Sequence, residues 1–239
     1  MRQIVLDTET TGIRVEDGHR IIEIGCIELI NRKFTTHHFH QYINPEREIE
    51  AGAQAIHGLT SAFLSGKPIF KNIAQAFLEY IAGADEIIIH NAPFDTAFLD
   101  YELLLAGQGY KNLEFYCRVI DTLPMARQRH AGQRNSLDAL CKRYGVDNSK
   151  REFHGALLDA HLLAQVYLAM TGGQGSFFDS LTENISISSA AAEIAATTEA
   201  KQYSITILKA SDTELVAHET YLKTLQQRGK CIWPMTEKE

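Results

Sequence analysis

Over the first two-thirds of the chain, short apolar runs alternate with stretches of helical period. Gln3–Asp7 is an apolar run ending in a carboxylate, and Ile21–Ile30 is β-branched and mostly apolar; both predict strands, the first of them buried. Thr36–Ile43 alternates and stops at Asn44-Pro45, which predicts a third strand closed by a turn. Ile73, Phe77, Leu78 and Ile81 recur at helical spacing and predict a helix over 71–82. Glu86–His90 carries three consecutive isoleucines and reads as a buried strand. After Asn91-Ala92-Pro93 comes a helix over 94–106, with Pro93 suited to its first turn. Val119–Asp121 predicts a short strand, 137–144 a helix stopped by Gly145, and 156–170 a strong helix stopped by Gly172-Gly173. Strands alternating with helices define an α/β chain.

Beyond Met170 the pattern dissolves. Residues 171–200 are mostly Gly, Ser, Thr, Ala and Glu without a steady apolar period, the composition of a flexible linker. Order returns near Tyr203: Ile205, Ile207 and Leu208 suggest a strand, and 213–227 a helix. The expected organisation is a compact domain over 1–172, a linker over 173–202 and a tail over 203–239. No apolar run approaches the length of a membrane span, and Asp7 interrupts the N-terminus before a signal sequence could form. Cys26, Cys117, Cys141 and Cys231 form no CxxC pair, which argues against a zinc knot and fits a reduced, cytoplasmic protein.

The net charge of −7 argues against a strong non-specific grip on nucleic acid, which is usually electrostatic. The charge is uneven, however. Residues 127–151 hold seven Lys/Arg against two Asp, either a phosphate track or a solvated face.

Three carboxylate motifs stand out. In Asp7-Thr8-Glu9 the two acids share one face where a buried strand ends, because strand side chains alternate. In His90-Asn91-Ala92-Pro93-Phe94-Asp95, Asp95 falls in the first turn of a helix; alone, it reads as an acid favoured by the helix dipole, with Asn91 a turn residue. In His154-Gly155-Ala156-Leu157-Leu158-Asp159, the acid lies at the edge of a stripe formed by Leu158, Leu162 and Val166. His154 precedes that helix, where a histidine is more often a cap or a surface residue. Taken together, four carboxylates at strand ends and a helix edge can surround one cavity, where their mutual repulsion requires neutralisation. Two divalent cations would cancel the charge, and an all-oxygen ligand set suits Mg²⁺ or Mn²⁺ rather than zinc. Paired metals serve in-line phosphodiester displacement, and a neutral histidine beside them can take the proton of the attacking water. Asp121, Asp138 and His161 are not expected among the ligands: the first two belong to helix starts, and the third shares no motif with the set.

The ordered set DxE, Asp and HxxxxD resembles the DEDDh 3′–5′ exonucleases. Asn135–Leu140, His154–Asp159 and Tyr167–Gln174 further resemble the proofreading exonucleases of bacterial replicative polymerases, a likeness covering nearly all of 2–174. It implies a ribonuclease H-like fold, a mixed, mainly five-stranded sheet flanked by helices. It implies metal binding by Asp7, Glu9, Asp95 and Asp159, His154 as general base, and substrate contacts from Asp7, Glu9, His57 and Asp159. His57 lies in Ile56-His57-Gly58, which matches a segment contacting the terminal nucleotide; this chain departs from the pattern at Gly52, where an acid is usual. The implied activity is removal of misincorporated nucleotides as deoxynucleoside monophosphates. The alternative is a free-standing DEDDh exoribonuclease, which would leave the tail without a purpose.

The tail reads as a set of tethers. Gln174, Phe177 and Phe178 resemble a sliding-clamp-binding motif, in which aromatic anchors fill a pocket and the amide binds its rim. Residues 203–233, with Leu215, Tyr221, Leu222 and Trp233, resemble a segment that binds the polymerase catalytic subunit, and they are too few for a core of their own. A small accessory subunit completes the partners that the resemblance implies. Tethering would offset weak DNA affinity by raising local concentration.

Overall fold

A computed structural model describes residues 1–149, 151, 153–172 and 210–228. The linker, the Gln174, Phe177 and Phe178 motif, the strand expected at Ile205–Leu208, and Trp233 lie outside these residues. The chain divides into two units, 1–181 and 182–239. In the first, β1 (Arg2–Thr10), β2 (Ile21–Ile30) and β3 (Lys33–Tyr42) form an antiparallel meander. The short helices α1 (Ala51–His57) and α2 (Ser61–Leu64) lead into α3 (Phe70–Ile81), β4 (Glu86–Ile89), α4 (Ala92–Ala106), α5 (Leu113–Tyr116) and β5 (Arg118–Asp121). Helices α6 (Thr122–Arg129), α7 (Leu137–Tyr144) and α8 (Ala156–Thr171) follow. Of the second unit, α9 (Asp212–Arg228) is described, a helix that the sequence predicts over 213–227.

The sheet order is β3-β2-β1-β4-β5, with β4 parallel to both β1 and β5. This is the mixed five-stranded sheet that the family resemblance implies. Strand alternation sorts its two faces. Ile4 and Leu6 point into a core with Phe70, Phe77, Phe98 and Leu99 from α3 and α4. Val5 points the other way, into a core with Ala160, Leu163, Ala164 and Tyr167 of α8. Phe77 and Phe98 are fully buried, each stabilising the fold by roughly 1.5–3 kcal/mol.

β1 pairs with β4 only at Gln3, Ile4 and Val5, and its last five residues run on without that neighbour. The cleft so opened lies at the C-terminal ends of two parallel strands, where the sheet switches between its antiparallel and parallel halves. Open α/β sheets bind their ligands at such points.

Several boundaries differ from the sequence expectation. β3 begins at Lys33 rather than Thr36, because Asn31 (φ 50°) and Arg32 (φ 66°) make a two-residue turn with both residues left-handed. α4 begins two residues early, at Ala92, after Asn91 adopts a left-handed conformation (φ 64°). α8 is buried on two sides: Leu162, Val166 and Met170 pack on Leu140 and Cys141 of α7, while Ala160, Leu163 and Ala164 meet the sheet. The single stripe read from Leu158, Leu162 and Val166 is therefore the α7 face of the helix.

Candidate active site

Asp7 and Glu9 continue the face of β1 that carries Val5, so both acids point to the side of the sheet covered by α8. Opposite Asp7 in the β1–β2 ladder stands Gly25. A Cβ on Gly25 would overlap the backbone of Ala156 and Leu157, so glycine is what lets the start of α8 sit directly on the sheet. That close approach carries Asp159, in the first turn of α8, to the strand acids. The fourth acid arrives from the other face. Thr8, pointing oppositely to its neighbours, donates from its backbone N–H (3.1 Å) and its hydroxyl (2.7 Å) to Asp95 Oδ1. The β1 amide that no longer meets β4 thus fixes a carboxylate.

These groups line one cavity of about 210 Å³, together with His154, Arg151, His90 and Asn91. Ligand atoms of Glu9, His154 and Asp159 lie within 4.8 Å of one another. His154 is partly exposed; its backbone N–H donates to the Ile56 carbonyl at 3.1 Å, which ties it to α1. The five residues expected to form the site are therefore brought together.

The electrostatics reflect the crowding. Burial, then the charges of Asp95 and Glu9, raise the Asp7 carboxyl well above its ordinary range. Burial, followed by Asp159 and Glu23, pushes Glu9 up to about 8. Burial raises Asp95 to about 7 against the opposing pull of the Thr8 hydrogen bonds. Glu9 Oε1 is buried with no hydrogen-bond partner among the described residues. An orphaned carboxylate oxygen among repelling acids, all of them hard oxygen donors, fits a divalent cation.

One residue at the centre of the site was visible in the sequence only as part of a basic strip. The Arg151 guanidinium makes a bidentate pair with Asp159, at 2.5 Å from Nε to Oδ1 and 2.5 Å from Nη2 to Oδ2. It also reaches Asp138 at 2.7 Å and His154 Nδ1 at 3.0 Å. Burial works against its charge, but Asp159 and then Asp138 hold its pKa above the ordinary arginine value. Asp138 therefore stays outside the carboxylate cavity but within the charge network of the site. Because arginine only donates, His154 Nδ1 accepts, and the neutral ring carries its hydrogen on Nε2. Burial first, and Arg151 second, lower the His154 pKa below 6.5.

A second cavity, of about 270 Å³, shares Thr8, Glu9 and Phe94 with the first and is lined by Ile13, Ala53, Ile56 and His57. His57 Nδ1 accepts from the Leu59 N–H at 3.0 Å, and its buried Nε2 has no hydrogen-bond partner among the described residues. Gly52 lines this cavity with open space around it. Asp121 caps α6 through the Leu123 N–H, and His161 stacks on Phe34 away from the cavity.

A mixed sheet with paired acids at the end of its central strand, completed by Asp95 and by the His154 and Asp159 pair, is the arrangement of a nuclease with a ribonuclease H-like fold. The chain belongs to the exonuclease family, whose model matches residues 4–167, and that family implies the use of divalent metal. Its relatives include DNA polymerase III subunit epsilon of Pasteurella multocida (strain Pm70), 49% identical over 238 residues, 97% of this chain and 93% of the relative. The subunit epsilon of Escherichia coli (strain K12) is 45% identical over 237 residues, covering 97% of each. Exonuclease X in complex with 5′-overhanging duplex DNA shares the fold (TM-score 0.57, 23% identity, 76% of this chain and 98% of that one). So does E. coli exonuclease I with a dA16 oligonucleotide (TM-score 0.61, 18% identity, 75% and 42%). Among the described residues, no helix is long and apolar enough to cross a membrane.

Proposed function

We propose that this chain is the proofreading 3′–5′ exodeoxyribonuclease of a bacterial DNA polymerase III, acting in the cytoplasm at the replication fork. The observation that carries the reading is the convergence of Asp7, Glu9, Asp95, Asp159 and His154 on one cavity. The subunit epsilon relatives, matched along nearly their whole length, support the replicative setting. Asp7, Glu9, Asp95 and Asp159 would hold two divalent cations, Mg²⁺ or Mn²⁺. Bound there, such ions supply a more acidic attacking water and stabilise charge on the scissile phosphate.

The chain's own groups do the rest. The attacking water oxygen bonds to phosphorus, the bond from phosphorus to the upstream 3′-oxygen breaks with its electron pair going to that oxygen, which takes a proton from solvent, and a deoxynucleoside monophosphate leaves. His154 takes the water proton at Nδ1, the lone pair that Arg151 occupies in the structure. A cation held by Asp159 would compete with Arg151 for that carboxylate, and Arg151, once released from Asp159, would free the His154 lone pair. His57, with its unpartnered Nε2 in the apolar cavity, contacts the terminal nucleoside. The tail over 203–239 binds the polymerase subunit, and Gln174, Phe177 and Phe178 bind the sliding clamp.

The test is digestion of 5′-labelled DNA carrying a paired or a mismatched 3′ end, with Mg²⁺, by the wild type and Asp7→Ala. Stepwise shortening from the 3′ end, faster at the mismatch and absent in the variant, supports the reading. Preference for RNA, or activity surviving Asp7→Ala, overturns it.

A further inference from the structure

A third cavity, of about 750 Å³, adjoins the carboxylate site. It shares His90 and Asn91 with the carboxylate cavity and no residue with the apolar cavity. The three therefore form a series, apolar then acidic then polar. The third is lined by Arg127, Gln133 and Ser136 besides the two shared residues. Arg127 is exposed on α6 and makes no ion pair with any other described residue. The Asn91 side-chain amide has no hydrogen-bond partner among them either, since the bond from Asn91 to Asp121 uses its backbone N–H (3.0 Å). Asp121, the acid beside Asn91, is engaged with the backbone N–H groups of Asn91 and Leu123.

The loop forming the far wall is built rather than loose. Asn135 is buried and donates to the carbonyls of Gln133 (3.0 Å) and His130 (3.4 Å). Arg143 in turn donates to Asn135 Oδ1 (3.2 Å) and to the Arg134 carbonyl (2.9 Å).

We infer that this polar cavity is a binding site for the upstream strand, with Arg127 and Asn91 holding the first phosphodiester on the 5′ side of the scissile one. The inference rests on the nuclease reading above and deepens it. A strand with its scissile phosphate at the carboxylates must send its terminal nucleoside one way and its remainder the other. The small apolar cavity suits one base, whereas a charged backbone needs cationic and amide donors, and the third cavity offers Arg127, whose guanidinium is free of any carboxylate partner among the described residues, beside the Asn91 amide. In a chain of net charge −7, Arg127 is, among the described residues, the one cation of the basic strip 127–151 that lines this cavity, so a phosphate there meets a local positive charge.

The experiment compares dTpdT, which carries only the scissile phosphodiester, with dTpdTpdT, which adds the next one upstream. Wild type should favour the trimer. Arg127→Gln should lose about 10-fold in kcat/KM on the trimer, the scale of one charge-assisted contact, and stay within about twofold on the dimer. The salt dependence of oligonucleotide cleavage should weaken by about 0.7 in logarithmic slope, as for one lost single-strand contact. Arg127→Lys should keep most of the trimer preference, since it keeps the charge. Equal losses on both substrates would place Arg127 at the reacting centre, and no loss on either would remove it from the strand path; each result overturns the inference. A wild-type chain silent on both substrates overturns the nuclease reading itself and this inference with it.

Discussion

Glu9 should make the metal-free protein less stable as pH rises. Its carboxyl moves from an ordinary 4.5 to about 8 in the folded chain, through burial and then the charges of Asp159 and Glu23. A raised folded pKa means that the folded state holds the proton more tightly than the unfolded one. The contribution to stability is therefore intact below pH 4.5, declines as pH rises, and is fully lost above pH 8. At 1.36 kcal/mol per pH unit, the decline between pH 5.5 and pH 8 comes to about 3 kcal/mol. For a domain of this size that is roughly 6–12 °C in Tm. Glu9→Gln keeps the shape and removes the titration, so thermal melts in EDTA at the two pH values should show a slope reduced by about that amount. Any penalty from the buried amide is the same at both pH values and cancels in the slope. Saturating Mn²⁺ should restore wild-type stability at pH 8 and do much less for the variant. Identical slopes for the two proteins would refute the crowding of acids on which the site is argued.

Arg151→Gln should lower metal-free stability by about 3–5 kcal/mol, as expected when one partner of a buried ion pair is removed, and Mn²⁺ should erase most of that deficit in a melt. His154→Ala should lower kcat by about 10²–10⁴ with little change in Mn²⁺ affinity; an equal loss of affinity would make His154 a ligand. In wild type the acid limb of kcat/KM should lie below pH 6.5, because burial disfavours the imidazolium; a limb above pH 7 would contradict this. Gly25→Ala should reduce activity as severely as loss of a carboxylate, since α8 must lift from the sheet; a fully active, equally stable variant would show that the contact is not needed.

The strand acids were the most legible part of the site. Alternation puts Asp7 and Glu9 on one face whatever surrounds them, and α8 announced itself by its apolar period. Asp95 was ambiguous, since an acid in a first turn is ordinary; what sets it apart is Thr8, more than 80 residues earlier, and no local pattern carries that. Arg151 was harder still. Its pairing with Asp159 spans a loop, and in the sequence it is one cation among seven. The start of β3 was hidden because its left-handed turn is Asn31-Arg32 rather than the usual Asn-Gly. Helix α1, seven residues long, is too short for an apolar period to show.

The site joins the beginning of the domain to its end. Asp7 and Glu9 lie on its first strand and Asp159 on its last helix, about 150 residues later, so the cluster closes one of the longest loops the domain permits. A chain emerging from the ribosome folds from its N-terminus onward and can assemble strands, α3 and α4 before α8 exists. Until α8 docks against Gly25, Asp7 and Glu9 lack Asp159 and the carboxylate cluster is incomplete. Nuclease activity is thus the last property the domain acquires during synthesis.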